Sequence, residues 1–184
     1  MPQPEPTLHD VEEAIAELLR TEEIGALAVL DSKGAPSVSM MHFAADGLTV
    51  YTATFGYTRK YAAMARDPRV SYTIAYLPPG GFSERLQARS IQVDGIATKV
   101  TDPEEIHRAV EVSREQFLWA QGTSMFDNFL KGTAHHQDFF RIDPVEALWN
   151  DNRVRQLWRR LVTFTPDGRH VAELRPYATA RNPL

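Results

Sequence analysis

The chain has 184 residues, 43% of them hydrophobic, which is enough for one domain with an ordinary buried core. Its net charge of -4 disfavours nucleic acid and anionic membranes as partners, so any bound phosphate must be held by a local cluster of cations. The chain has no cysteine, which excludes disulfides, thiolate catalysis and cysteine metal sites and fits a reducing compartment. No apolar run approaches the roughly 20 residues of a membrane-spanning helix.

The first residues, Met1 to Pro6, are rich in proline and unlike the basic, apolar start of a signal peptide. We therefore expect residues 1–6 to be disordered and the protein to be cytoplasmic. Since the rest of the chain shows no internal repeat or low-complexity tract, residues 1–184 are predicted to form a single domain.

Hydrophobic periodicity predicts a mainly β fold. A first helix begins at Leu8, where Thr7 can cap it together with Asp10. Further helices are predicted over 58–65 and from 103 to about 120. The predicted strands are 25–30, 37–43, 48–53, 70–76, 89–100, 139–149, 156–164 and 170–174. The predicted turns are 31–34, 45–47 and 165–168. Sequential hairpins predict an antiparallel barrel of six to eight strands with flanking helices, and Gly95 inside a long strand indicates a bulge or barrel corner.

One segment combines the features of a phosphate site. A strand carries Tyr51 and Thr52, and after a short loop Thr58, Arg59 and Lys60 begin a helix. A helix start offers unpaired N–H groups and the positive end of the helix dipole, and the cations add charge-assisted hydrogen bonds. The alternative is that the two cations form an exposed helix face, which is common for adjacent charges. The strand–loop–helix context favours phosphate.

The run Thr58-Arg59-Lys60, followed by Asp67-Pro68-Arg69-Val70, resembles the flavin-phosphate segment of the pyridoxamine-phosphate-oxidase-like, FMN-binding split-barrel superfamily. The order of the preceding elements agrees with that family. The resemblance implies a split β-barrel that binds FMN, a homodimer that shares each flavin between two chains, and oxidoreductase activity on a small-molecule substrate.

The C-terminal part of the chain resembles the same family at Trp149, Arg155 and Arg159. By this resemblance, Trp149 and Arg159 contact the flavin bound by the other subunit, and Arg155 faces the substrate pocket. The alternatives are that Trp149 packs in the core or at the dimer interface and that the arginines are exposed strand residues.

Two further strands are expected to reach the flavin ring. In the segment from Arg89 to Gly95 the family has a glutamine where Ser90 stands, and Gln92, on the same face of the strand, is a possible substitute. The strand containing Ser39, Met40, Met41 and His42 is expected to pass along the ring. His42 could tune the ring or carry a proton, although a strand histidine bonded to a backbone carbonyl is commoner.

The sequence also departs from the family's pattern. The strand from Pro36 to Phe43 lacks the arginine and lysine of the oxidases, and Leu157 stands where they have a histidine. The helix from Pro103 onward lacks their Tyr, Arg and Ser clamp. Because that clamp holds the pyridoxal phosphate in the family, we expect a pocket without these groups to bind pyridoxamine phosphate poorly. Residues 121–137 have no counterpart there and are expected to shape a different pocket.

Three alternatives stay open at this stage. Members of the superfamily also use deazaflavin or bind haem, and haem ligation would need His42, His135 or His136 beside the cleft. The third is a flavin-binding sensor or storage protein without catalysis. No metal-ligand motif is present, so we predict no metal, and no side chain is assigned as a catalytic nucleophile or base.

Overall fold

The computed structural model of the chain describes residues 4–130 and 137–177. Within these residues, nine strands form one antiparallel sheet that curls into a half-barrel, flanked by four helices. The strands are β1 (Ile24–Leu30), β2 (Pro36–His42), β3 (Ala44–Asp46), β4 (Thr49–Phe55), β5 (Arg69–Tyr76), β6 (Arg89–Lys99), β7 (Gln137–Asp151), β8 (Arg159–Phe164) and β9 (Val171–Pro176). The helices are α1 (Leu8–Thr21), α2 (Arg59–Arg66), α3 (Pro103–Gln116) and α4 (Asp127–Leu130). No helix among these residues is long and apolar enough to cross a membrane.

Side-chain caps start the longer helices, as the sequence predicts. Thr7 and Asp10 form a reciprocal capping box at the start of α1. Asp102 accepts the N–H of Glu105 at 2.9 Å and caps α3, where Pro103 takes the first helical position. The predicted mainly antiparallel barrel with flanking helices is confirmed.

The longest strand, β7, holds the barrel together. The sheet order is β2-β1-β5-β6-β7-β4-β3, and the second half of β7 also pairs with β8, which pairs with β9. The ladder between β6 and β7 shifts register between Asp94 and Gly95, which confirms the predicted bulge. A Cβ on Gly95 would lie 2.8 Å from the Asp143 carbonyl oxygen, so only glycine lets the two strands approach this closely.

Two buried clusters fill the molecule. The larger one lies inside the barrel, where the apolar face of α1 covers the inward side chains of the strands. The smaller one packs α3 and the segment after it against β3, β4 and β7, with Ala109, Val112, Phe117 and Phe126 among its members. The smaller cluster matters for function because its edge forms part of the cavity described below.

Several element boundaries differ from those predicted, and three of the differences have a structural cause. Residues 44–46 pair with 49–51 as β3, where the sequence predicted only a turn, which raises the strand count to nine. The third helix ends at Gln116 instead of about 120, because Phe117 leaves the helix and turns its ring into the smaller cluster. The strand β8 begins at Arg159 instead of 156, since Leu157 has a φ of 60° inside a loop.

The N-terminal segment is expected to be disordered, but its described part contacts the barrel. The Glu5 carboxylate accepts hydrogen bonds from the Trp158 indole at 2.9 Å and from Arg160 at 2.6 Å. Residues 1–3 lie outside the described residues.

Candidate functional site

The turn between β4 and α2 places a hydroxyl and two cations at the start of a helix. The amide and the hydroxyl of Thr58 donate to the Phe55 carbonyl at 3.0 and 2.9 Å. The same hydroxyl oxygen accepts the N–H of Tyr61 at 3.3 Å and caps α2. Since the Thr58 hydroxyl proton is engaged in this cap, the first-turn N–H groups and the cations are the groups left to bind an anion.

Those cations are Arg59 and Lys60. Arg59 is exposed and Lys60 is half-buried, and neither forms an ion pair or hydrogen bond with any residue that the structure describes. Two unpaired cations beside the N–H groups of a helix start are a favourable arrangement for a phosphate.

Side-chain contacts hold α2 against the sheet at both of its ends. The Tyr61 hydroxyl donates to Asp138 at 2.8 Å and accepts from the Lys99 ammonium at 2.9 Å. At the other end, the Arg66 guanidinium donates to the Leu30 carbonyl at 2.6 Å. Because three strands share these contacts, the start of α2 keeps a fixed position relative to the sheet.

A cavity of about 290 Å³ lies beside this helix start, between β2 and β4. Its lining is mostly apolar, and Lys60 is the cation among the lining residues. The lining residues are Met40, Met41, His42, Tyr51, Thr52, Ala53, Thr54, Phe55, Thr58, Lys60, Ser113, Phe117, Trp119, Met125, Phe126, Gln137 and Phe139. An apolar cavity with one cation at its edge suits a flat aromatic ligand that carries an anionic group.

One wall of the cavity is built around His42. Its ring lies 5.6 Å from that of Phe117 and 5.2 Å from that of Trp119. The Trp119 indole donates to the Glu23 carboxylate at 2.8 Å, and His42 Nδ1 lies 3.6 Å from the same carboxylate. Glu23 therefore links the strand β2 to the turn after α3, and the imidazole of His42, half-exposed, faces the cavity.

The floor of the cavity includes Thr52 and Tyr51 of β4. The Thr52 hydroxyl donates to the His42 carbonyl at 2.9 Å and so ties β4 to β2. The Tyr51 hydroxyl lies 3.4 Å from the Glu105 carboxylate. Burial, reinforced by the negative charge of Glu105, raises the pKa of Tyr51 to about 12. Tyr51 is therefore neutral at physiological pH and acts as an uncharged part of the wall.

The raised pKa of Tyr51 predicts a loss of stability at high pH. In the unfolded chain this phenol ionises near pH 10, whereas in the folded protein it keeps its proton up to about pH 12. The unfolded state thus binds fewer protons above pH 10, and the free energy of unfolding falls as pH rises, by up to about 2–3 kcal/mol at pH 12. We expect the free energy of unfolding of Tyr51→Phe, measured by urea denaturation between pH 8 and 11, to fall less steeply with pH than that of the wild-type protein. Equal slopes in the two proteins would contradict this assignment.

The cavity brings together seven of the residues that the sequence singles out. They are Met40, Met41, His42, Tyr51, Thr52, Thr58 and Lys60. Arg59 stands next to them at the start of α2 but does not line the cavity. Ser39 lies on the opposite face of β2 from Met40, where the strand faces Leu27 of β1.

The structure places two other expected contacts elsewhere. Trp149 is only 1% exposed and packs in the larger core, and it does not line the cavity beside α2. Trp149 is thus a core residue, as the alternative to flavin contact predicts. Arg155 lies in the loop before β8, outside any strand, and pairs with the Glu5 carboxylate. The Arg155 guanidinium, which was expected to face a substrate, is therefore already engaged in an ion pair.

Ser90, Gln92 and Arg159 point outward from the sheet. Gln92 lines a groove of about 370 Å³ over the outer face, and a neighbouring groove of about 450 Å³ continues it. Both grooves are larger than the cavity beside α2, but they are open strand surfaces without a helix start. Their chemistry suits the face of another protein chain better than a phosphorylated ligand.

Sequence reasoning missed the aromatic wall. Phe117, Trp119 and Phe126 come from the turn after α3 and the segment that follows it. The run Phe117-Leu118-Trp119 at the end of an amphipathic helix was a signal for this cluster, but only the fold shows that it reaches β2. Met125 and Gln137 also line the cavity, so part of the segment 121–137 does shape it. His135 and His136 lie outside the described residues.

Solved structures with the same fold include a haem-binding protein from Mycobacterium smegmatis, with 18% identity and a TM-score of 0.66 over 88% of this chain and 60% of that one. A conserved hypothetical protein from Mycobacterium tuberculosis has 23% identity and a TM-score of 0.64 over 78% and 86% of the two chains. An FAD-binding protein from Mesorhizobium loti has 20% identity and a TM-score of 0.54 over 73% and 90%. At these identities the likeness concerns the fold. No curated protein sequence matches the chain.

The sequence itself matches a family model. The model described as pyridoxamine 5'-phosphate oxidase matches residues 11–148, which is well over half of the chain and includes the strand–turn–helix with Thr58 to Lys60. The match and the split-barrel fold agree with the resemblance stated from the sequence. The chain therefore belongs to the pyridoxamine 5'-phosphate oxidase family.

Proposed function

We propose that the protein is a flavoprotein oxidoreductase that binds FMN in the cavity between β2 and β4. The observation that carries the proposal is the pair of unpaired cations, Arg59 and Lys60, at a helix start that borders an apolar cavity. Phosphate would bind at the start of α2, and the flat ring system would lie against Met40 to His42. The FAD-binding protein from Mesorhizobium loti, which shares the fold, supports a flavin as the ligand.

The residues present fit such a ligand in chemistry. Met40, Met41 and Phe117 give the cavity the apolar surface that a ring system needs, while the phosphate meets the only part of the wall with a free cation among the described residues. Small-molecule pockets usually hold roughly 300–1,000 Å³. At about 290 Å³ the cavity of one chain holds only part of FMN, which indicates that something else completes the site.

A second copy of the chain is the proposed completing partner. The outer face of the sheet exposes Val38 and Met40 at 64% and 66%, next to the small side chains of Ala26 and Ala28. Adjoining apolar side chains of this kind are typical of an interface core. Met40 lines the cavity as well, so a partner that covered this face would also close the flavin site. Arg159 lies on the same face and would meet the partner.

Replacement of an apolar residue on this face by a charge tests the homodimer. We expect Val38→Glu to convert a dimer into monomers in sedimentation velocity and to weaken FMN binding about tenfold or more, because it places a carboxylate in the proposed interface. Leu86→Glu is the control, since Leu86 is 49% exposed and lines neither the cavity nor the grooves of the outer face. A monomeric wild-type protein, or a dimer that survives Val38→Glu, would contradict the proposed interface.

When bound, FMN supplies two-electron redox chemistry, and the protein supplies binding, orientation and exclusion of water. The phosphate site fixes one end of the cofactor, and the aromatic wall around Trp119 shields the other from solvent. Pyridoxamine phosphate is a poor candidate substrate, because Ser39 to Met41 carry no cation and Arg155 is paired with Glu5.

An absorbance spectrum of the purified protein, before and after addition of FMN, tests the proposed function. We expect the visible bands of oxidised flavin either at purification or after addition and gel filtration. A protein that retains no FMN would overturn the proposal, and retention of deazaflavin in its place would assign the cavity to that cofactor.

Haem is the second candidate, and one observation favours it. The His42 imidazole is half-exposed on the cavity wall, where it could ligate an iron, and the Mycobacterium smegmatis relative is a haem-binding protein. A strong haem absorption band that disappears in His42→Ala, with Lys60→Ala unaffected, would favour haem over flavin.

A further inference from the structure

The end of β4 and the loop after it carry a stacked pair of aromatic rings, and the outer ring, Tyr57, does not line the cavity of the proposed FMN site. Phe55 and Tyr57 stack with their ring centroids 5.3 Å apart and an angle of 19° between the ring planes. Tyr57 is 80% exposed, the highest value among the large hydrophobic side chains of the described residues. Since Phe55 covers one face of the Tyr57 ring, the other face is open to a flat partner.

The position of this pair links it to the phosphate site. Phe55 lines the cavity, and Tyr57 directly precedes Thr58, the cap of α2. The Thr58 amide bonds to the Phe55 carbonyl at 3.0 Å, so the loop is a tight turn and holds both rings beside the helix start. A phosphate bound at the first turn of α2 would therefore lie close to the open face of the Tyr57 ring.

The two cations also differ in their surroundings. Lys60 lines the cavity, whereas Arg59 is exposed and does not line it. One phosphate at the edge of the cavity meets Lys60, the first-turn N–H groups and one edge of the Arg59 guanidinium. Because a guanidinium carries five N–H donors, the exposed edge of Arg59 remains for a second anionic group farther from the cavity.

We propose that this loop is a base-binding subsite, so that the FMN site also accepts the dinucleotide FAD and holds it more tightly by stacking its adenine on Tyr57. The inference rests on the proposed flavin function and deepens it. The FMN half of FAD occupies the cavity and the helix start, the second phosphate pairs with Arg59, and the adenine covers the open face of Tyr57. Stacking on an exposed aromatic ring is the usual means by which proteins hold a base without reading its edges.

Equilibrium binding of FMN and FAD to the flavin-free full-length protein, measured by flavin fluorescence, tests the proposal. We expect the wild-type protein to bind FAD at least about fivefold more tightly than FMN, the lower limit for one stacked base. Tyr57→Ala should remove this preference and leave the FMN affinity unchanged, whereas Tyr57→Phe should keep it. Phe82→Ala is the matched control, because Phe82 is 79% exposed at a site remote in the sequence.

Each alternative outcome would overturn either the base subsite, the role of the loop or the flavin function itself. Equal affinity of the wild-type protein for FMN and FAD would overturn the base subsite and leave the flavin function standing. A preference for FAD that survives Tyr57→Ala would place the adenine elsewhere and overturn the role of the loop. Binding of neither flavin would overturn both this inference and the proposed function. ADP, which lacks the flavin, should compete with FAD in the wild-type protein and lose that ability in Tyr57→Ala.

Discussion

The double variant Arg59→Ala with Lys60→Ala is expected to weaken flavin binding at least about 100-fold, while the protein stays folded. Both side chains are without a partner among the described residues, so their loss leaves no buried group unsatisfied. A hydrogen bond to a charged group contributes about 1.5–3 kcal/mol, and two such bonds account for the expected change in affinity. Fluorescence titration of the flavin-free protein with FMN measures it.

A charge-matched control separates a specific site from general electrostatics. Arg20→Ala with Arg169→Ala removes the same two positive charges from exposed positions that do not line the cavity. We expect this variant to bind FMN within about twofold of the wild-type protein, because the attraction between exposed charges is weak and screened by salt. Equal losses in the two double variants would mean that the start of α2 is not a phosphate site.

Replacement of Trp149 is expected to change stability much more than ligand binding. Its ring lies in the larger core, and truncation of such a residue to alanine costs about 3–5 kcal/mol of the free energy of unfolding. Urea denaturation of Trp149→Ala should show this loss, and Trp149→Phe, which keeps most of the packing, should retain full FMN affinity.

Replacement of Trp119 is expected to change ligand binding more than stability. The Trp119 side chain is 49% exposed on the cavity wall, so Trp119→Ala should change the free energy of unfolding by only about 1 kcal/mol and weaken FMN binding.

For Trp149, a Trp149→Phe variant that is stable but no longer binds flavin would contradict the core assignment and restore the contact implied by the family resemblance.

Local signals explain why much of the fold was predictable from the sequence. The capping box at Thr7 and the start of α3 at Asp102 depend on residues a few positions apart, and both occur as predicted. The bulge at Gly95 follows from a glycine in a long strand. The short strand β3 was missed because its pairing with β4 depends on a hairpin too short to show alternation.

The candidate site also has one part that the sequence predicted and another that it did not. The phosphate-binding part is contiguous in sequence, since Thr58, Arg59 and Lys60 follow one strand and begin one helix. The aromatic wall is not contiguous: the Trp119 indole bonds to Glu23, which is 96 residues away in the chain, and its ring lies beside that of His42 in β2. Trp149 was assigned to the flavin from the resemblance, but which face of a strand a residue occupies depends on the register of β7, which the sequence does not specify.

A crystal structure of the protein with FMN bound is the most direct test of the central claim. We expect the flavin phosphate within hydrogen-bonding distance of Lys60 and the first-turn N–H groups of α2, with the ring system between β2 and β4. A flavin bound over the outer sheet face, or anywhere else away from α2, would contradict this expectation.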